Sequence, residues 1–215
     1  MGTKPMITSD YGELQWSVAG RPMPGEELSG DNYLVVRTPT GWLLAVVDGL
    51  GHGPEAAAAG SALISTFVDH VEVDLVQLVR FGHEALKGTR GCACALAAID
   101  SRQCLLGWIG IGNVEGVVHR IQGERLFAEY ITMRGGIVGY RLPNLQPTFV
   151  NLDDGDLLVM ATDGINSDFV QMIAGRDPER LSASILNNYA KSTDDALVLV
   201  ACWCPQAGRQ EDDLK

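Results

Sequence analysis

Aspartates stand at the ends of four apolar runs in this chain, where carboxylates could hold a cation. Asp31 opens the run NYLVVR, Asp48 closes WLLAVV, Asp163 follows DLLVMAT, and the pair Asp194 and Asp195 precedes ALVLVACW. The first two lie in GDNYLVVRTPTGWLLAVVDG, where runs of matching length flank a TPTG turn that contains Pro39 and Gly41. If Arg37 faces Trp42 beside that turn, counting outward one residue per strand puts Asp31 opposite Asp48 at the hairpin's open end. Opposed residues of an antiparallel pair lie about 4.5–5.5 Å apart, and like charges there repel. At about 4 Å and an effective dielectric of about 20 the repulsion is about 4 kcal/mol, a large fraction of a domain's stability. A divalent cation between the carboxylates reverses the sign. Turn chemistry is the plainer account of Asp48, since Asp-Gly is a common turn pair, and the hairpin alone leaves both accounts open.

A second unit favours the cation. DLLVMATDGINSDF repeats the plan of WLLAVVDGLGHG, an apolar strand followed by Asp-Gly and then a helix, so Asp163 corresponds to Asp48. Two strands end in aspartate and two begin with it. In antiparallel sheets the end of one strand lies beside the start of its neighbour, so all these groups could gather at one rim. Oxygen donors alone, with a backbone carbonyl available at Gly49, favour hard ions such as magnesium or manganese over zinc. Two such ions would neutralise a phosphoryl group and lower the pKa of a water between them, so that hydrolysis needs no protein nucleophile. His52, in the glycine-rich turn after Asp48, could hand a proton to a leaving alkoxide, although an exposed or capping histidine is the plainer reading. Asn113, in WIGIGNVEG, could reach the site from a hairpin end, but asparagine before a turn needs no function.

The elements that must position these groups follow from periodicity and turn signals. Strands are expected at 13–20, 32–37 and 42–48, a helix over 54–69 with Pro54 at its start, and a second helix over 74–87 ending near Gly88. Strands at 91–99, 103–111, 114–121 and 125–131 read as a meander of hairpins. A strand at 156–162, helices at 165–174 and 178–190, and a strand at 196–203 complete the chain. Strand runs interrupted by helix pairs give an α+β class with a two-sheet core flanked by helices. The alanine run 55–62 reads as a tightly packed helix face. One domain over 13–204 is expected, with polar segments 1–12 and 205–215 outside it.

Composition excludes several classes. A formal charge of -11 in 215 residues argues against nucleic acid or an anionic membrane surface as partner. No stretch is apolar enough to span a bilayer and the first residues lack signal-peptide features, so a cytoplasmic location is expected. The 5 cysteines, Cys92, Cys94, Cys104, Cys202 and Cys204, sit in apolar stretches and read as reduced core thiols. A zinc site from the two C-x-C pairs is the sharper alternative, but residues two apart on a strand simply share a face. Dinucleotide binding at Gly49, Gly51 and Gly53 fails in detail: Pro54 replaces the last glycine, and Asp48 would repel a pyrophosphate.

Taken in order, SGD ending at Asp31, DGLGHG from Asp48, TDG around Asp163 and DDAL from Asp194 resemble the metal-binding motifs of the type 2C protein phosphatase superfamily, in its SpoIIE-like branch. The resemblance implies an α-β-β-α sandwich, two mainly antiparallel sheets flanked by helix pairs. It also implies two Mn2+ or Mg2+ ions and hydrolysis of phosphoserine or phosphothreonine. Carried over by motif, Asp48 would bridge both ions, Gly49 would offer its carbonyl, Asp163 and Asp194 would complete one shell, and Asp31 would hold the water shell of the other; Asp195 ranks behind Asp194. Within the branch the chain is similar to stand-alone feedback phosphatases of the stressosome, which implies phosphorylated STAS-domain scaffold and antagonist proteins as partners and the resetting of a general-stress sigma-factor pathway. Leu197 stands where the last motif usually has Thr or Ser, His52 comes later than the histidine of eukaryotic members, and no arginine precedes Asp31 to grip phosphate. A phosphatase-like module that only docks partners is the alternative; the retained aspartates speak against it.

Overall fold

A strand that is apolar at every position must be covered on both faces. The strands that run up to Asp48 and Asp163, and the one that follows Asp195, are of this kind, and their burial sets the layers. The computed structural model describes residues 7–10, 12–122, 125–173 and 175–205. In chain order the elements are β1 (Ile7–Asp10), β2 (Leu14–Arg21), β3 (Asp31–Thr38), β4 (Gly41–Gly49), α1 (Pro54–Asp69), α2 (Leu75–Ala85), β5 (Cys92–Asp100), β6 (Leu105–Ile111), β7 (Glu115–Gln122), β8 (Arg125–Tyr130), β9 (Met133–Arg134), β10 (Thr148–Asn151), β11 (Leu157–Ala161), a 3-10 helix (Ser167–Met172), α3 (Pro178–Tyr189) and β12 (Ala196–Trp203). One sheet runs β1-β2-β12-β11-β7-β8 and the other β10-β6-β5-β4-β3, with β9 added parallel to β6; every other pairing is antiparallel.

Alternation along the strands divides the core into three layers. Trp42, Leu44 and Val46 of β4 meet Leu197, Leu199 and Trp203 of β12 between the sheets. The intervening Leu43, Ala45 and Val47 face α1 and α2, while Ala196, Val198 and Val200 face α3 and the 3-10 helix. The result is the α-β-β-α sandwich and α+β class that the sequence implied. No described helix is long and apolar enough to cross a membrane.

One helix was read wrongly. The stretch expected as a helix over 165–174 is a 3-10 helix over Ser167–Met172, opened by the Asn166 side chain accepting from the Asp168 N–H. Ile165, Asn166, Ser167, Asp168, Val170 and Ile173 are β-branched or short polar residues of low helix propensity, and Phe169 and Val170 are fixed by packing instead. The outer face of that sheet therefore carries α3 and a 3-10 turn rather than a helix pair. Within the polar segment 1–12, Ile7–Asp10 forms β1 against β2, and β9 and β10 are further strands without a clear sequence signal. Residues 206–215 of the expected tail, and 1–6 and 11 of the expected N-terminal segment, lie outside the described residues. Cys92, Cys94 and Cys202 are buried, and none of the five thiols is in a disulfide.

Candidate active site

The β3-β4 hairpin has the register expected of it: Arg37 pairs with Trp42, and Asp31 pairs with Asp48. The turn at 38–41 fixes this pairing, and the buried faces of β4 forbid a one-residue slip. The second sheet brings its own acids to the same end. β11 ends at Ala161, just before Thr162 and Asp163, and pairs with β12, which begins just after Asp194 and Asp195. Asp48, Asp163, Asp194, His52 and Asn113 line one cleft of about 450 Å³. Residues that the sequence placed 115 positions apart, Asp48 and Asp163, thus face the same cavity.

A hydroxyl helps to join the sheets at this end. Thr162 Oγ1 donates to Asp31 Oδ2 at 2.8 Å and accepts from the Leu197 N–H at 2.9 Å. Thr162 belongs to the TDG motif, but nothing in its residue type announced this bridge. Asp31 is 3% exposed and lies behind the cleft, where it borders a second cavity shared with Arg21 and Ser29.

The adjacent pair separates by role. Asp195 Oδ1 accepts from the Met23 N–H and Oδ2 from the Gly30 N–H, both at 2.7 Å, so its buried carboxylate ties the 23–30 loop to the start of β12. Asp194 instead faces the cleft. Lys191, shortly before Asp194, braces the Asp163 turn: its ammonium donates to the Asp163 carbonyl at 2.5 Å and its N–H to the Gly164 carbonyl at 2.8 Å. The Arg21 guanidinium in turn donates to the Lys191 and Asp194 carbonyls. Neither cation was singled out in the sequence, since a lone Lys or Arg carries no spacing signal.

Close approach explains the small residues nearby. A Cβ on Gly60 of α1 would meet the Gly30 carbonyl at 2.6 Å, and Gly49 packs directly against Ala56. The alanine run is thus a tight helix face that lets α1 press on the turns bearing Asp31 and Asp48. Gly51 and Gly53 have φ of 87° and 78°, a left-handed conformation that accounts for glycine in DGLGHG without any phosphate loop.

Electrostatically the cluster is uncompensated. Burial, then the charges of Asp163 and Asp194, push the Asp48 carboxyl up to about 7, against a smaller opposing effect of an Asn113 hydrogen bond. Burial and Asp48 raise Asp31 well above the usual carboxylate range, and burial and Asp163 raise Asp194. Among the described residues no ion pair joins these aspartates to Lys or Arg. His52 Nδ1 lies 2.8 Å from Glu26 Oε1 at the cleft's edge. Asn113 Nδ2 donates to Asp163 Oδ2 at 2.6 Å.

This donor set fits hard divalent cations: oxygens only, clustered, and short of positive charge. Among the described residues no three His, Cys, Asp or Glu side chains are arranged to hold an ion unaided. Magnesium-type ions commonly take one or two carboxylates and complete the shell with water, so the arrangement suits them.

The family model of Stage II sporulation protein E (SpoIIE) matches residues 38–214. The chain belongs to the SpoIIE family of type 2C phosphatases. The phosphoserine phosphatase RsbX of Bacillus subtilis (strain 168) is 23% identical over 178 residues, covering 82% of this chain and 87% of RsbX. A crystal structure of RsbX with magnesium superposes with a TM-score of 0.83 at 22% identity, over 93% of this chain and 100% of that one. A chain solved in work on the bacterial stressosome, described as a modular system adapted to control secondary messenger signaling, is 31% identical with a TM-score of 0.77, over 87% of this chain and 98% of that one. The family and these relatives support a phosphatase.

Proposed function

We propose that this protein is a metal-dependent phosphoserine/phosphothreonine protein phosphatase. The observation that carries the reading is the meeting of Asp48, Asp163 and Asp194, from two sheets, in one cleft where, among the described residues, no Lys or Arg is ion-paired to them. In this reading Asp48 and the Gly49 carbonyl, with Asp163 and Asp194, hold two Mn2+ or Mg2+ ions, and Asp31 orders the water shell of the second. The ions, when bound, supply charge neutralisation at the phosphoryl oxygens and a water of lowered pKa. Asp195 is assigned to the 23–30 loop rather than to an ion, because both its oxygens already accept backbone N–H groups. Asn113 orients Asp163, and Thr162 orients Asp31. His52, beside Asp194 and held by Glu26, takes the place of proton donor to the leaving serine or threonine oxygen.

For substrate, the similarity to RsbX and to a chain from stressosome work supports phosphorylated STAS-domain scaffold and antagonist proteins, in the cytoplasm, and hence the resetting of a general-stress pathway. The test is hydrolysis of p-nitrophenyl phosphate with and without manganese, followed by incubation with phosphorylated STAS-domain proteins and mapping of the lost phosphates by mass spectrometry. Manganese-stimulated turnover with loss of STAS phosphates is expected. Turnover of p-nitrophenyl phosphate with untouched STAS phosphates would reject that substrate class, and no turnover on either would leave a docking module.

A further inference from the structure

At the opposite end of the β3-β4 hairpin from Asp31 and Asp48 lies a groove of about 610 Å³, larger than the catalytic cleft. The seven residue steps of β3 from Asp31 to Thr38 span about 23 Å, so the two depressions are well separated. Leu43 and Gly107 form part of the groove's floor, Val73 and Leu75 one wall, and Phe149 of β10 the other. A Cβ on Gly107 would meet the Phe149 ring at 3.2 Å, so glycine there lets the ring lie over the sheet. Phe149 is nonetheless 66% exposed and Val73 is 37% exposed, an unusual cost for large apolar groups beside a concavity.

The rim has one sign. Glu72, Asp74 and Asp100 line the groove, and no Lys or Arg does. Two of these charges are held in place: Asp74 accepts from the Val76 and Gln77 N–H groups, and Asp100 from those of Arg102 and Gln103. Apolar walls under an acidic rim repel phosphate, nucleic acid and anionic lipid. They fit a side chain that is bulky and apolar between neighbours that are cationic. β10 is also the last strand of its sheet, and although the Asn151 carbonyl accepts from Arg120, the edge beside Phe149 can meet an extended polypeptide.

We propose that this groove docks a partner protein through an extended segment carrying a bulky apolar side chain flanked by lysine or arginine. The inference does not depend on the phosphatase reading, because none of the groove's residues belongs to the aspartate cleft.

The test uses the full chain, labelled with nitrogen-15, and three synthetic peptides: KKRLWLRKK, the charge-reversed EEDLWLDEE, and KKRGSGRKK, which lacks the apolar centre. The expected result is that KKRLWLRKK alone shifts amide resonances at residues 71–75, Gly107 and Phe149, and that its affinity falls at least about tenfold in the Glu72→Lys, Phe149→Ser variant, a loss of about 1.4 kcal/mol. Turnover of p-nitrophenyl phosphate in that variant stays at the wild-type level. The proposal is overturned if KKRLWLRKK shifts nothing or shifts the loop at 48–53 instead, if either control peptide binds the groove equally well, or if the variant binds as tightly as the wild type.

Discussion

At the scale of single residues, burial and neighbouring charge disfavour the ionised form of Asp48 in the absence of a cation. Its carboxyl, pushed up to about 7 by burial and by Asp163 and Asp194, holds a proton in the metal-free fold that an unfolded chain releases near pH 4. Because the folded pKa is the higher one, the stability linked to this group is fully present below about pH 4 and is lost as pH rises through about 7. Metal-free protein should therefore melt at a lower temperature at pH 8 than at pH 5.5. Asp48→Asn should reduce that slope and raise the pH 8 melting temperature by a few degrees, at about 2–4 °C per kcal/mol for a chain of this size. Thermal melts in chelator read both, and a variant that melts below wild type at pH 8 counts against charge repulsion at this position. His52 gives a separate prediction. A phosphoseryl leaving group needs a proton, whereas p-nitrophenolate departs without one. His52→Gln should thus slow the phosphoprotein reaction about a hundredfold and leave p-nitrophenyl phosphate hydrolysis near wild type. Equal rates on the phosphoprotein would remove His52 from the chemistry.

At the scale of elements, the site depends on how closely α1 lies against the two turns that carry Asp31 and Asp48. Gly60 is one tight point on the helix, with the Gly30 carbonyl where a side chain would begin. Gly60→Ala should push helix and loop apart, cost about 1–3 kcal/mol and depress turnover, because Asp31 directly follows the displaced Gly30. Denaturant titration checks the first part, and an unchanged midpoint would contradict the packing account. The hairpin was legible because turn position and strand length together determine the register, which needs no tertiary information. The choice between Asp194 and Asp195 was not. Two adjacent aspartates are chemically identical, and what distinguishes them is the presence of the Met23 and Gly30 amides, more than 160 residues away in sequence, beside Asp195. The same holds for Thr162 and Lys191, whose partners are brought by the packing of one sheet on another and by the turn after β11. The 3-10 helix differs from the expected α-helix because its apolar spacing serves packing against β11 and β12 in a segment rich in residues of low helix propensity.

At the scale of the whole molecule, two packed sheets gather acid from four strands at one end. A chain of formal charge -11 concentrates much of its repulsion there, so binding of cations should stabilise the entire fold. Manganese at a hundred times its dissociation constant should add about 2.7 kcal/mol, seen as a rise in melting temperature that saturates with concentration. No rise would mean that the cluster does not hold the ion. The most direct test of the central claim measures phosphate release from a phosphoseryl protein by chelator-stripped enzyme as manganese is restored, in wild type and Asp48→Asn. The account predicts no turnover without metal, saturable recovery in the wild type, and rates at least about a thousandfold lower in the variant at every manganese concentration. Full turnover by the stripped enzyme, or a variant within tenfold of wild type, would contradict it.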